Sequence, residues 1–393
     1  MLENPIFPGV PMRHLALFGL GLAAAACSKP IDERWMRATE GGSKCTPAVI
    51  GDLIVFGNEG GYVHAIDRQG SERWSFTAHR DVIGTPVGYH DLILFGSVNN
   101  LFYALNAPSG REVWKYSTRD RIKGDPLVYK DRVFFGSYDK HFYALDAATG
   151  RLAWLFPPPP ARAPVVTPDL KPKAVPAALR QPEPVDPEPA APAPPADVGE
   201  FSYAMPTVVD GVAYIGNLDK HLYALDTATG EMKWRFPTDG GITSAVLHDK
   251  GVLYFGSNDH NLYALELATL KPKWKFATGD EVNATPVMAD GVIYVGGVDT
   301  KFYAIDAATG KAKWTFPTKG RIVDGAALYK NLVFVGSGPG DGTLYALDRE
   351  TGKRFWAYET GTKIEADPVI DGDRLYLVSG DGKLTSFRID RTR

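Results

Sequence analysis

Cysteine is almost absent from this chain. Its 393 residues include two, Cys27 and Cys45, too few for a disulfide framework or a cysteine-based zinc site. Charge of one sign is not in surplus either: 43 Lys and Arg stand against 46 Asp and Glu, a net of -3, with both signs spread along the chain. Phosphate backbones are held by concentrated basic faces, so this balance argues against nucleic acid as a partner. Long hydrophobic runs are also lacking. The run near the N-terminus, Leu15 to Ala26, has 12 residues; as a helix it would reach about 18 Å, short of the hydrocarbon core of a bilayer.

The flanks of that run give it a meaning. Met12-Arg13-His14 is a short basic stretch before it, and small residues lead to Cys27 after it. A basic start, an apolar middle and a small-residue end read as an export signal over residues 1–26, with Met12 the better start. The string Leu22-Ala-Ala-Ala-Ala-Cys27 resembles a bacterial lipobox, although Ala24 stands where leucine is usual. That resemblance implies an acylated Cys27 as the mature first residue, with Ser28 after it favouring the outer membrane. The alternative is an ordinary signal cleaved after an Ala-x-Ala site, with Cys27 incidental.

Tryptophan is where the organisation shows. All eight fall on one ladder, Trp35, Trp74, Trp114, Trp154, Trp234, Trp274, Trp314 and Trp356, with gaps of 39, 40, 40, 80, 40, 40 and 42. A chain that places every tryptophan at one phase of a 40-residue period is a repeat protein. Each unit parses into four short strands. In one of them Thr285-Pro286-Val287-Met288 leads through Asp290-Gly291 to Val292-Ile293-Tyr294-Val295, an alternation and a turn that make a hairpin. Then come Lys301–Ile305, an Ala-Ala-Thr-Gly turn and the Trp314 strand. Four antiparallel strands per unit of about 40 residues make one blade of a β-propeller. Counting the Tyr-Ala-Leu-Asp strand and its variants gives eight blades.

The eighth blade ends without a tryptophan strand of its own. Trp35 lies 39 residues before Trp74, so the N-terminal strand is expected to complete the last blade and close the ring, which removes the exposed edges of an open sheet. The fold class read from the sequence is therefore all-β, a single eight-bladed propeller over residues 27–393. One irregularity interrupts the period. Residues 157–198 hold 15 of the 30 prolines and no aromatic residue. Such a segment buries too little apolar surface to offset its ordering entropy, so an extended, mobile insertion between blades 3 and 4 is expected.

The string Ala144-Leu-Asp146-Ala-Ala-Thr149-Gly150-Arg151-Leu-Ala-Trp154 resembles the tryptophan-docking motif of PQQ-like propellers. It recurs at Asp226–Trp234, Asp306–Trp314 and Asp348–Trp356, and more loosely elsewhere: Leu270 replaces the glycine in one repeat. Here the Asp side chain would cap the turn, the Gly would take positive φ, and the indole would pack between blades. Two groups share this resemblance. One is the quinoprotein dehydrogenases, which hold PQQ and calcium on the propeller axis with an adjacent cysteine pair. The other is the BamB-like lipoproteins, non-enzymatic scaffolds of the outer-membrane β-barrel assembly machinery. This chain has no Cys-Cys pair, and every tryptophan is already placed on an outer strand. The resemblance thus implies a monomeric, lipid-anchored propeller without catalytic residues, metal or cofactor, facing the periplasm and bound to other envelope proteins. The second reading is a PQQ-binding or other ligand-binding redox or sensor propeller.

Candidate site residues lie where the innermost strands begin. Just before a recurring proline, or its equivalent, stand Asp125, Ser244, Asp367 and five counterparts; two positions earlier stand Lys123, Ile242, Asn283, Glu365 and four more. Alternation is expected to aim one of the two rows at the axis. Lys123, Asp125, Asn283, Glu365 and Asp367 are then candidates for a ligand-binding channel mouth, the alternative being a wet channel with no ligand. The Asp residues at 139, 219, 259 and 299 look like metal ligands one at a time, but their regular spacing makes them repeated turn caps.

Overall fold

A computed structural model describes residues 31–158, 198–201, 203 and 205–390. The export signal, Cys27, and most of the proline-rich segment lie outside the described residues. What is described is a ring of eight four-stranded antiparallel sheets, with no helix among the described residues. In blades 1 to 7 the strands follow chain order from the axis outward. In blade 6 these are Val287–Ala289, Val292–Gly296, Lys301–Asp306 and Ala312–Pro317.

Blade 8 breaks chain order. Its inner strands Val369–Asp371, Arg374–Val378 and Lys383–Ile389 come from the C-terminal end, and its outer strand is Ile31–Ala38. The two chain ends pair antiparallel from Ile31 opposite Ile389 to Ala38 opposite Lys383. Each pair of neighbouring blades encloses a hydrophobic cluster between its facing sheets. Blades 3 and 4, for example, share Phe134, Phe142, Phe156, Phe201, Ile215 and Tyr223. The proline-rich segment departs from and returns to that cluster. The rings of Phe156 and Phe201 are 6.4 Å apart, and Val198 is buried beside them, so the packed chain resumes by Val198.

Docking turns bind most blades to their neighbours. Asp306 Oδ1 accepts hydrogen bonds from Thr309 N at 2.8 Å and Thr309 Oγ1 at 2.7 Å, and Gly310 follows with φ of 70°. Trp274 of the preceding blade lies flat on that turn and donates from Nε1 to Ala307 O at 3.0 Å. Trp35, Trp74, Trp154 and Trp314 reach the equivalent region of the next blade, to Arg68 O, Ala107 O, Thr227 O and Arg349 O. The turns at 139, 219, 259 and 299 are latches of another kind: Asp139 Oδ2 accepts from Tyr143 Oη at 2.7 Å and from Arg119 N at 2.9 Å.

Candidate functional site

The inner strands surround an axial cavity of about 480 Å³. Both rows named from the sequence line it, because residues i and i+2 of a strand share a face. Lys123 and Asp125 face the cavity from blade 3, Asn283 and Thr285 from blade 6, and Glu365 and Asp367 from blade 8. The expectation that only one row would do so is corrected. Blade 5 needs a second correction. Thr243 and Ala245 line the cavity there. Ile242 and Ser244 are turned into the packed wall, where Ser244 Oγ accepts from Gly256 N at 2.8 Å. Blade 5 has Val246 in place of the proline that marks the register in most other blades, which hides the one-residue offset.

At one side of the mouth, Glu365 is nearly buried and encircled by cations. Its Oε2 accepts from Lys363 Nζ at 2.6 Å, its Oε1 from Arg321 Nη2 at 2.9 Å, and Lys44 Nζ stands 3.9 Å away. Burial alone would raise the Glu365 pKa, but the hydrogen bonds from Lys363 and Arg321 outweigh it and hold it below the usual carboxylate value. On the opposite side Lys123 Nζ donates to Tyr203 Oη at 3.2 Å. Its ammonium lies 5.1 Å from the Tyr138 ring centroid and 5.3 Å from that of Tyr203, while the Arg121 guanidinium is 4.2 Å over Tyr138. These are cation–π distances.

Deeper in the channel the charge reverses. Asp125 Oδ1 accepts the Thr85 amide at 2.6 Å, and Asp367 Oδ1 accepts the Gly325 amide at 2.5 Å. Each bond runs from one blade to the next. The polar ring continues with Thr243 Oγ1 donating to Asn283 Oδ1 at 3.1 Å and the Asp367 amide donating to Thr46 Oγ1 at 2.9 Å. These side chains thus staple adjacent inner strands as well as line the cavity. Asp324, from blade 7, joins Asp125 and Asp367 in the lining. Desolvation pushes all three carboxyls upward, Asp125 to about 6, and charge repulsion adds to it for Asp125 and Asp324.

Sequence reasoning passed over Thr243, Arg321 and Asp324. The first follows from the offset in blade 5. Asp324 carries a signal that alignment on the following strand would expose: its equivalents in other blades are Cys45, Gly84, Gly124, Ser244, Ala284 and Ala366, all small and uncharged.

A quinone such as PQQ is a planar tricarboxylate, and the channel residues do not suit it. Among the described lining residues Tyr203 alone is aromatic, the described tryptophans stand on the outer strands, and the deep wall is carboxylate. Among the described residues, no group of three or more His, Cys, Asp or Glu is placed to hold a metal ion.

The family described as outer membrane protein assembly factor BamB matches residues 59–175, 194–315 and 317–393. Among solved structures, BamB from Moraxella catarrhalis superposes with a TM-score of 0.69 at 16% identity, covering 91% of this chain and 99% of that one. A computationally designed protein, Ika8, reaches 0.72 at 15% identity over 91% of this chain and 100% of its own. A quinohemoprotein alcohol dehydrogenase from Pseudomonas putida HK5 reaches 0.69 at 16% identity over 93% and 77%. At such identities the likeness speaks for the fold alone. No curated protein matches the chain by sequence.

Proposed function

This chain belongs to the family of the outer membrane protein assembly factor BamB, and on that footing we propose that it is a non-enzymatic, lipid-anchored envelope scaffold. Its task in this reading is to bind other proteins during outer-membrane β-barrel assembly, from the periplasmic face of the outer membrane. The observation that carries the proposal is the family match over three segments spanning most of the ring. The composition of the channel supports it. An enzyme acting through a bound quinone needs stacking surfaces and countercharges for three carboxylates. Here the described lining offers Tyr203 as its one aromatic, its cations Lys44 and Arg321 face Glu365 while Lys123 bonds Tyr203, and three aspartates lie below. Sharing an eight-bladed ring with a dehydrogenase is weak support for sharing its chemistry, because one fold hosts many functions. Attachment through Cys27 rests on the basic stretch, apolar run and small residues that precede it.

Two measurements test this reading together. The full chain, immobilised, is expected to capture components of the barrel-assembly machinery from detergent-solubilised envelopes. The purified chain incubated with PQQ and Ca²⁺ is expected to leave the quinone absorbance unchanged. A saturable change in that absorbance, with no assembly component captured, would replace the scaffold reading by the redox one.

A further inference from the structure

Three carboxylates separated widely in sequence line the deep part of the channel: Asp125 from blade 3, Asp324 from blade 7 and Asp367 from blade 8. Two of them have a structural task, since one oxygen of each accepts an amide from the preceding blade. Asp324 has no such task for its Oδ2, which is buried and without a hydrogen-bond partner. It also breaks the repeat, standing where the other blades carry small uncharged residues. Beside it Gly325 keeps space open, for a Cβ there would come within 3.0 Å of Asp367 Oδ2. The cations of the mouth are committed elsewhere: Lys44, Lys363 and Arg321 surround Glu365, and Lys123 bonds Tyr203. Neighbouring carboxylates in a confined wall, where burial and mutual repulsion outweigh the opposing charge of Arg321 at Asp324, are a costly arrangement.

We propose that the axial channel binds an organic amine, its protonated amino group held by Asp125, Asp324 and Asp367 and its remaining chain rising toward Tyr203. A cavity of about 480 Å³ is of small-molecule size. An ammonium group suits the wall better than a metal ion. Metal binding requires several ligands converging at about 2.0–2.6 Å, and no such group occurs among the described residues. An ammonium has three N–H donors and accepts looser spacing, with each charge-assisted bond at about 2.8 Å. The upward shifts of the three carboxyls accord with the same reading, because an incoming cation favours their ionised forms. The site is independent of the envelope-scaffold proposal and stands or fails without it.

Calorimetric titration and thermal melts of the full chain near neutral pH test it, with pentylamine and 1,5-diaminopentane as probes and pentanol and CaCl₂ as controls. At least one amine is expected to bind saturably, one per chain, with a dissociation constant below about a millimolar, and to raise the melting temperature; pentanol is expected to do neither. Asp324→Asn should weaken amine binding by roughly tenfold or more. The same variant without ligand should melt no lower than the parent chain, which separates loss of the site from loss of the fold. Absence of saturable binding by either amine, unchanged affinity in Asp324→Asn, or Ca²⁺ that saturates the chain and displaces the amine would each overturn the proposal.

Discussion

Glycine at a docking turn meets two demands at once. Gly310 has φ of 70°, and a Cβ on it would lie 2.6 Å from Cδ2 of Trp274, inside the indole's contact distance. Leu270 occupies the same place in blade 5 with φ of 53°, so there the chain accepts left-handed backbone with a side chain attached. That conformation costs about 1–2 kcal/mol for a non-glycine residue, while glycine gives back part of the gain through its freer unfolded chain. Leu270→Gly is expected to stabilise the protein by about 0.5–1 kcal/mol, and Gly310→Ala to destabilise it by about 2 kcal/mol or more through strain and collision with the indole. Urea unfolding of the two variants checks both signs, and a loss in Leu270→Gly would mean that its packing outweighs the strain. Asp125 adds a pH dependence. Its pKa rises to about 6 in the folded chain, first through desolvation and then through Asp367. A carboxyl raised in this way favours folding only while protonated, so its contribution is complete below the unfolded value of about 4 and lost as pH climbs through about 6. Asp125→Asn, which keeps an oxygen for the Thr85 amide, is expected to match the parent chain near pH 4 and exceed it by roughly 1–2 kcal/mol near pH 8, after allowance for channel water. Melting curves at the two pH values decide it; equal stabilities at both would show that Asp125 carries no repulsion.

The N-terminal strand Ile31–Ala38 is the element on which ring closure depends. It pairs along one edge with Lys383–Ile389 and ties sideways into blade 1. Trp35 Nε1 donates to Arg68 O at 3.1 Å, and Arg37 Nη2 donates to Glu72 Oε2 at 2.7 Å. Glu72 Oε1 is in turn 3.0 Å from His64 Nδ1, and His64 Nε2 is 3.3 Å from Asn58 Nδ2. His64 holds the strand position taken by the latch tyrosines Tyr143, Tyr223, Tyr263, Tyr303 and Tyr345 elsewhere, so the seam of the ring has polar wiring of its own. Burial would raise the Glu72 pKa, yet His64 and Arg37 together hold it below the ordinary value. Trp35→Ala removes a half-buried indole that covers Gly70 and packs at a tilt against Tyr376. It is expected to cost about 2–4 kcal/mol and to bring the lowest-temperature unfolding step to blade 8, as hydrogen exchange of Lys383–Ile389 would report. Unchanged protection of that strand would show that blade 8 holds without its outer tryptophan.

On the scale of the whole molecule, a 40-residue period becomes a closed ring, and the ring creates an axis. The blade count, the order of strands within a blade and the exchange of the N-terminal strand were legible in eight tryptophans and a docking turn, because those features repeat locally and each has a local physical reason. The positions of Lys123, Asp125, Asn283, Glu365 and Asp367 along the inner strands were legible for the same reason. The frame in blade 5 was not, since Val246 removed the marker and the side-chain period of two made a one-residue slip exchange wall for channel. Nor could the sequence bring Asp125 of blade 3 together with Asp324 and Asp367 of blades 7 and 8, for their approach depends on the geometry of closure. The sequence by itself determined the repeat, its number and the pairing of its ends, all carried by interactions within a blade or between neighbours. Only the tertiary structure decided which side chains share the axis and what charge they gather there, because that follows from the sum of eight rotations and not from any one repeat.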